Sequence, residues 1–453
     1  MRLALIAIAG LLILSACGST ESTKSTEKKI DYEKITRDPM LFSNTVHELN
    51  NVVMGNNFSP IVASRNYTYA SVAAYEVIAA GYPGKYESLA GQVHGLKSVP
   101  KPGAGKKIDF EFASILAFSK LGQAVTFPEG SMTEYVDSLK KMVRDHGMSD
   151  EIYNNTVAFS DTISATILKW SKGDMYLQTR TYPRYNVMDV PGRWVPTPPA
   201  YTSAMEPHWN VIRPVVLDST TQFIPPRPPA FNITDKKSKY YKEVMAIKNA
   251  VDSLTDEQKH IAEFWDDNPF KLNVSGHVMF GTKKFSPPGH WMSVVGIAAK
   301  QAGFDFAETV YAYAITAITQ FDAFIQCWDE KYRSNYARPE TVINKYFDQN
   351  WQPFLQTPPF PEYTCGHSTS SSANAEALTY VFGDNFEYTD TSELEFGIKS
   401  RSFKSFRDAA NENNWARFYG GIHFHNSCIV STEYGKKVGD FIIGRLKMRK
   451  NKN

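Results

Sequence analysis

The sequence predicts an all-α chain folded as two helical bundles joined by a Pro-rich irregular connection. Three observations carry this. Apolar residues recur at three- and four-residue steps through most of the chain. Period-two alternation, the mark of a half-buried strand, is hard to find anywhere. Prolines between 180 and 232 interrupt the helical pattern near the middle. At 453 residues the chain is long for one ordinary domain and suits two units.

Residues 1–17 are of another kind. Arg2 supplies a minimal positive start, residues 3–14 are almost wholly apolar, and Leu14-Ser15-Ala16-Cys17 follows. This is the layout of a secretory signal peptide. Its ending resembles the bacterial lipoprotein lipobox, which implies lipidation at Cys17. The apolar stretch is shorter than the roughly 20 residues a spanning helix needs, and no later segment reaches that length. The expectation is therefore attachment to a membrane of the bacterial cell envelope by a lipid anchor only. Residues 18–38 are assigned to a flexible tether, because 18–30 are Ser, Thr, Lys, Glu and Gly without apolar pattern.

The N-terminal bundle is assigned to 39–179, with helices predicted at 43–54, 60–81, 107–126, 130–146 and 150–172. The run Ala70, Val72, Ala73, Tyr75, Val77, Ile78 shows the spacing. The connection spans 180–237. Its prolines forbid a continuous helix, and Trp194, Tyr201 and Trp209 argue that it packs over the core. The C-terminal bundle is assigned to 238–447. Its helices are predicted at 238–252, 255–265, 290–303, 304–330, 340–351, 367–382, 391–412 and 420–447. The 304–330 segment is apolar on many faces and belongs at the centre.

A formal net charge of +2 excludes charge-driven capture of nucleic acid, so any positive site must be local. The four cysteines, Cys17, Cys327, Cys365 and Cys428, are too few and too widely spaced for a disulfide scaffold or a zinc knuckle, though an oxidising periplasm leaves room for one bridge.

Three short segments carry chemistry. Lys331 and Arg338 lie seven apart, a spacing that puts two cations on one helix face, with Pro339 ending the helix. Cys365-Gly366-His367 precedes a helical run, so free N–H groups, a glycine and an imidazole share one helix start. Arg417 precedes a Gly420-Gly421 break and His423. Each segment alone also suits a plain structural role, as a basic helix end, a capped helix entry or a turn. Together they offer three cations, two histidines and a helix start, which a tetrahedral oxyanion needs.

The order Lys-x6-Arg-Pro, Gly-His, Arg-x5-His resembles the vanadium-dependent haloperoxidase and type 2 phosphatidic acid phosphatase superfamily. Trp328 and Phe360 match aromatics flanking the vanadate pocket of fungal-type chloroperoxidases, and Pro287-Pro288-Gly289-His290-Trp291 resembles a segment of bacterial haloperoxidase-like proteins. The resemblance implies roles. His423 is the vanadium ligand or phosphoryl-accepting nucleophile, and His367 the acid/base. Lys331, Arg338, Cys365, Gly366 and Arg417 hold the oxyanion. It implies halide oxidation by hydrogen peroxide on vanadate. The alternatives are a periplasmic acid phosphatase without cofactor on the same cradle, or a non-catalytic ligand-binding lipoprotein. Three positions depart from the family pattern: Cys365 replaces Ser, Ala416 replaces Ser, and Ser427 replaces an Asp that orients the last histidine. His425, Asn426 and Glu433 are the candidates to replace that Asp. His290 is read as structural or lining the approach, and Asp266 and Asp267 as a helix end.

Overall fold

The computed structural model of the protein describes residues 31–450 except 270 and 276. The expected signal peptide, Cys17 and residues 18–30 lie outside the described residues. The described end of the expected tether is not a tether. Asp31 caps α1 (Tyr32–Thr36) by accepting from Glu33 N, and Tyr32 and Thr36 are buried. A cap and one buried aromatic suffice to order this turn.

The first half continues as α2 (Pro39–Gly55), α3 (Pro60–Gly81), α4 (Phe110–Val125), α5 (Thr133–Asp145), α6 (Asp150–Ser171) and the short α7 (Tyr176–Thr179). The second half holds α8 (Lys239–Asp252), α9 (Asp256–Phe264), α10 (Pro287–Ala302), α11 (Phe306–Ser334), α12 (Pro339–Tyr346), α13 (Gly366–Phe382), α14 (Phe406–Tyr419) and α15 (His425–Arg445). Two antiparallel ribbons interrupt it, β1 (Lys271–Ser275) with β2 (Val278–Thr282) and β3 (Tyr388–Asp390) with β4 (Arg401–Phe403).

The second ribbon overturns the helix predicted over 391–412. A 3-10 turn at Ser392–Phe396 stops at Gly397, whose φ of 76° lies in the left-handed region that favours glycine. The chain then returns as β4, which pairs Phe403 with Tyr388, and both rings are buried. Only after Ser405, which caps α14 by accepting from Asp408 N, does helix resume.

The two halves share one hydrophobic core that runs from Tyr32 to Met448. Its axis is α11, which packs against α3 of the first half and α13 of the second. A capping box of Asp305 and Glu308 starts α11, and no charged residue follows until Asp322, so the helix is buried nearly throughout. Asp322 accepts from Val215 N (2.7 Å), Val216 N (2.7 Å) and Leu217 N (2.9 Å), which pins the Pro-rich connection to the core. Trp194 and Trp209 are buried, whereas Tyr201 faces solvent. Among the described residues no helix is long and apolar enough to cross a membrane.

Candidate active site

The site forms where the end of α11, the start of α12, the start of α13 and the α14–α15 turn surround the 360–365 loop. The helix predicted to carry both Lys331 and Arg338 ends early. Asn335 takes a left-handed conformation (φ 48°) and stops α11 at Ser334. The two cations therefore do not share a helix face. Lys331 sits in the last turn of α11, and Arg338 is the extended N-cap (ψ 150°) that Pro339 demands.

They converge nonetheless, because one loop satisfies both. Lys331 Nζ donates to the carbonyls of Pro361 (2.9 Å), Glu362 (3.1 Å) and Thr364. Arg338 Nε donates to Phe360 O (2.9 Å), and its Nη1 to Ile422 O (2.8 Å) and His423 Nε2 (2.9 Å). Trp328 and Phe360, with ring centroids 4.9 Å apart, form an aromatic wall against Lys331 Nζ, which lies 4.9 Å from the Phe360 ring. Met205 of the Pro-rich connection closes that wall by accepting from Trp328 Nε1 (3.2 Å).

Cys365 is the N-cap of α13 and makes no side-chain cap, so the first N–H groups of the helix, beginning at Gly366, keep their donor capacity. The turn that presents His423 depends on Gly421. Its φ is 77°, and an added Cβ would meet Val251 Cγ2 at 2.9 Å. Arg417, in the last turn of α14, donates from Nη1 to Trp265 O. Lys331, Arg338, Cys365, Arg417 and His423 are all buried, and His367 keeps 16% side-chain exposure, which makes it the cradle's outward wall.

The electrostatics express a surplus of positive charge. Burial, with Arg338 adding to it, pushes Lys331 down to about 8. Burial pushes Arg338 down to about 10 against the pull of Glu362. Burial and then Arg417 hold His367 well below its ordinary value. An oxyanion would relieve the three cations at once. Arg338 Nη2 and Arg417 Nε are buried donors without a hydrogen-bond partner, the feature expected where an anion is held.

Three residues stand behind the cradle: Glu362 and Asp267, to which sequence reasoning gave no role in the site, and His290, which it read as structural or lining the approach. The first is Glu362, fully buried, whose Oε1 accepts from His423 Nδ1 (2.9 Å) and Phe424 N (3.1 Å). It supplies the orienting carboxylate sought near His425, Asn426 or Glu433. Ser427, at the position of the absent Asp, donates its hydroxyl to Glu362 Oε2 (2.9 Å). Because the Arg338 guanidinium can only donate, His423 Nε2 is the acceptor and Nδ1 carries the proton. The signal was a lone acid in the Pro-Phe-Pro-Glu-Tyr-Thr run beside a motif.

The other two are Asp267 and His290. Asp267 Oδ2 lies 3.9 Å from His367 Nε2, and its Oδ1 lies 2.8 Å from His290 Nδ1. His290 Nε2 lies 2.9 Å from Asp390 Oδ2. Burial disfavours a charged His290, but the two carboxylates raise it well above its ordinary value. Glu393, pushed up to about 8 by burial, completes the group. Asp267, His290 and Glu393 have the composition of a metal site, with ligand atoms within 4.8 Å of one another. Both ring nitrogens of His290 already face carboxylates, so the imidazolium itself supplies the positive charge there.

A family model described as the second helical-bundle domain of VCPO matches residues 311–451. The chain is similar to the first bacterial vanadium-dependent iodoperoxidase of known crystal structure, with 42% identity, a TM-score of 0.86, and coverage of 92% of this chain and 98% of that one. It shares its fold with a bacterial vanadium-dependent chloroperoxidase, in holo form at 16% identity and a TM-score of 0.63, over 86% of this chain and 93% of that one. The apo form matches equally, over 85% and 94%. No curated protein matches the sequence.

Proposed function

The chain belongs to the vanadium-dependent haloperoxidases, and on that premise we propose that it oxidises iodide with hydrogen peroxide, using vanadate held at His423. The observation that carries the vanadate assignment is the aim of His423 Nε2. Its Nδ1–H is committed to Glu362, so its lone pair is at Nε2, which faces the cradle cation Arg338 and lies beside Cys365, the N-cap of α13. Lys331, Arg338, Arg417 and the first N–H groups of α13 would hold the oxygens by charge-assisted hydrogen bonds. When bound, vanadate supplies a Lewis-acidic centre that polarises peroxide toward attack by halide. His367, held neutral and facing Asp267, can take and return a proton at Nε2. The aromatic pair Trp328 and Phe360 excludes water from the Lys331 side.

Iodide is favoured on two grounds. The 42%-identical relative is an iodoperoxidase. A thiol at Cys365 is also a weaker hydrogen-bond donor than the family's hydroxyl, so it polarises less and suits the most easily oxidised halide. The test is turnover after reconstitution with orthovanadate, with iodide or bromide, beside His423→Ala. Iodide oxidation lost in the variant supports the reading. Hydrolysis of an aryl phosphate inhibited by vanadate, without halide turnover, overturns it in favour of a phosphatase. The Leu14–Cys17 ending supports lipid anchoring at Cys17 in the cell envelope, and incorporation of labelled palmitate that Cys17→Ala abolishes would test it.

A further inference from the structure

The tightest seam of the second half lies between α13 and α15. An added Cβ at Gly439 would fall 2.8 Å from Ala373 O, and one at Gly435 would collide with Thr369 O. Residues 369 and 373 thus face 435 and 439 in the same order, so the helices run parallel with their backbones nearly touching. One turn back along α13 from Thr369 is Cys365, and back along α15 from Gly435 are Ser431 and Cys428. The contacts match that register. Cys365 N donates to Ser431 Oγ (2.8 Å), and the Cys365 and Cys428 side chains are close enough for each thiol to act on the other's ionisation. Both are free and fully buried. The Cys365 thiol also lies beside His423 and so fronts the cradle, while Cys428 lies behind it, beside Ser368. The third described thiol, Cys327, contacts Thr364 Oγ1 (3.3 Å).

We propose that Cys365 and Cys428 form a peroxide-driven thiol–disulfide pair that switches the oxyanion site off. The sulfur of Cys365 attacks one oxygen of hydrogen peroxide. The O–O bond breaks, an S–O bond forms, and the released hydroxide leaves as water with the thiol proton. The sulfur of Cys428 then attacks the sulfenic sulfur. The S–S bond forms, the S–O bond breaks, and a second water leaves with the Cys428 proton. Two thiols lose two electrons to one peroxide, which becomes two waters. The disulfide draws Cys365 Sγ from His423 toward α15 and removes a donor from the cradle. The proposal rests on the haloperoxidase reading only for the peroxide, which is the co-substrate of that activity.

The experiment treats the full chain with hydrogen peroxide in the absence of halide, then alkylates under denaturing conditions and maps peptides by mass spectrometry. The expected product is a Cys365–Cys428 cross-linked peptide, two hydrogens lighter than its parts and released by dithiothreitol, with Cys327 still alkylated. In Cys428→Ser, whose fold is checked by thermal melting, Cys365 is instead trapped as a sulfenic acid by dimedone. Cross-linking weakens orthovanadate binding about tenfold, the loss of one hydrogen bond to a charged group, and dithiothreitol restores it. Both thiols remaining alkylated, or Cys365 oxidised to sulfinic acid while Cys428 stays free, overturns the pair. A cross-link that leaves orthovanadate affinity unchanged overturns the switch. A cross-link in a protein without halide turnover removes the reaction and leaves the pair; turnover without a cross-link does the reverse.

Discussion

His423 Nδ1 donates to Glu362 Oε1 across 2.9 Å, although the two residues stand 61 positions apart. This bond does for the cradle what a nearby Asp does elsewhere in the family, and Ser427, standing in the position of that Asp, braces Glu362 instead. The carboxylate has moved from the helix after the histidine to the loop before α13, so its removal should be felt as strongly as that of an orienting partner to any metal-bound imidazole.

Glu362→Gln should therefore keep the fold and weaken vanadate binding about 10–100-fold, because a neutral amide no longer raises the basicity of the ring. Equilibrium dialysis with orthovanadate reads this directly. Unchanged affinity would show that Phe424 N and the turn alone orient His423.

His367 separates binding from turnover. It fronts the cradle and faces Asp267, whereas His423 is the proposed ligand. His367→Ala should retain vanadate and lose about 10²–10⁴-fold in kcat, the span of a general acid–base contribution. Loss of vanadate binding with kcat per bound vanadate unchanged would reassign it to the cradle.

Lys331 links pH to stability. Its folded pKa of about 8 lies below the ordinary lysine value of 10.5. Between those values the unfolded chain holds the proton and the folded chain does not, so this residue's contribution to stability rises as pH rises from about 8 to 10.5. A bound oxyanion reverses the shift, so phosphate should raise the Tm more at pH 7 than at pH 10. Lys331→Met should abolish that difference. Melting curves with and without phosphate at the two pH values decide it.

The charged sandwich Asp267–His290–Asp390 has the opposite sign. His290 is raised well above 6.5, so its contribution is fully present below that value and is lost as pH climbs through the folded pKa. His290→Gln leaves buried carboxylates unpaired and should cost about 3–5 kcal/mol at pH 6. Urea unfolding should show a smaller cost at pH 9. An equal cost at both would mean that His290 is neutral in the folded protein.

Cys365→Ser restores the family's hydroxyl. The stronger donor should raise bromide oxidation relative to iodide by about tenfold, the worth of one improved hydrogen bond. A ratio unmoved by the change would place halide preference elsewhere in the pocket.

Local pattern carried much of this protein. Helical periodicity located most helices, because an apolar stripe at 3.6-residue spacing has few other uses. The order of Lys331, Arg338, Cys365-Gly366-His367, Arg417 and His423 named the cradle, because an oxyanion dictates donor types, and those are written in residue identity. What distance alone decides was hidden. Glu362, Asp267 and Asp390 are ordinary acids in sequence, and their roles come from loops and a ribbon that bring them to imidazoles many residues away. The early stop of α11 at Asn335, the ribbon in place of a helix at 391–405 and the main core shared by both halves were also set by packing, since turns and short strands hold too few residues for a period to show. The facing of Cys365 and Cys428 is of the same kind. Nothing in a spacing of 63 residues foretells it, and only the close approach of α13 and α15 through Gly435 and Gly439 makes two buried thiols neighbours.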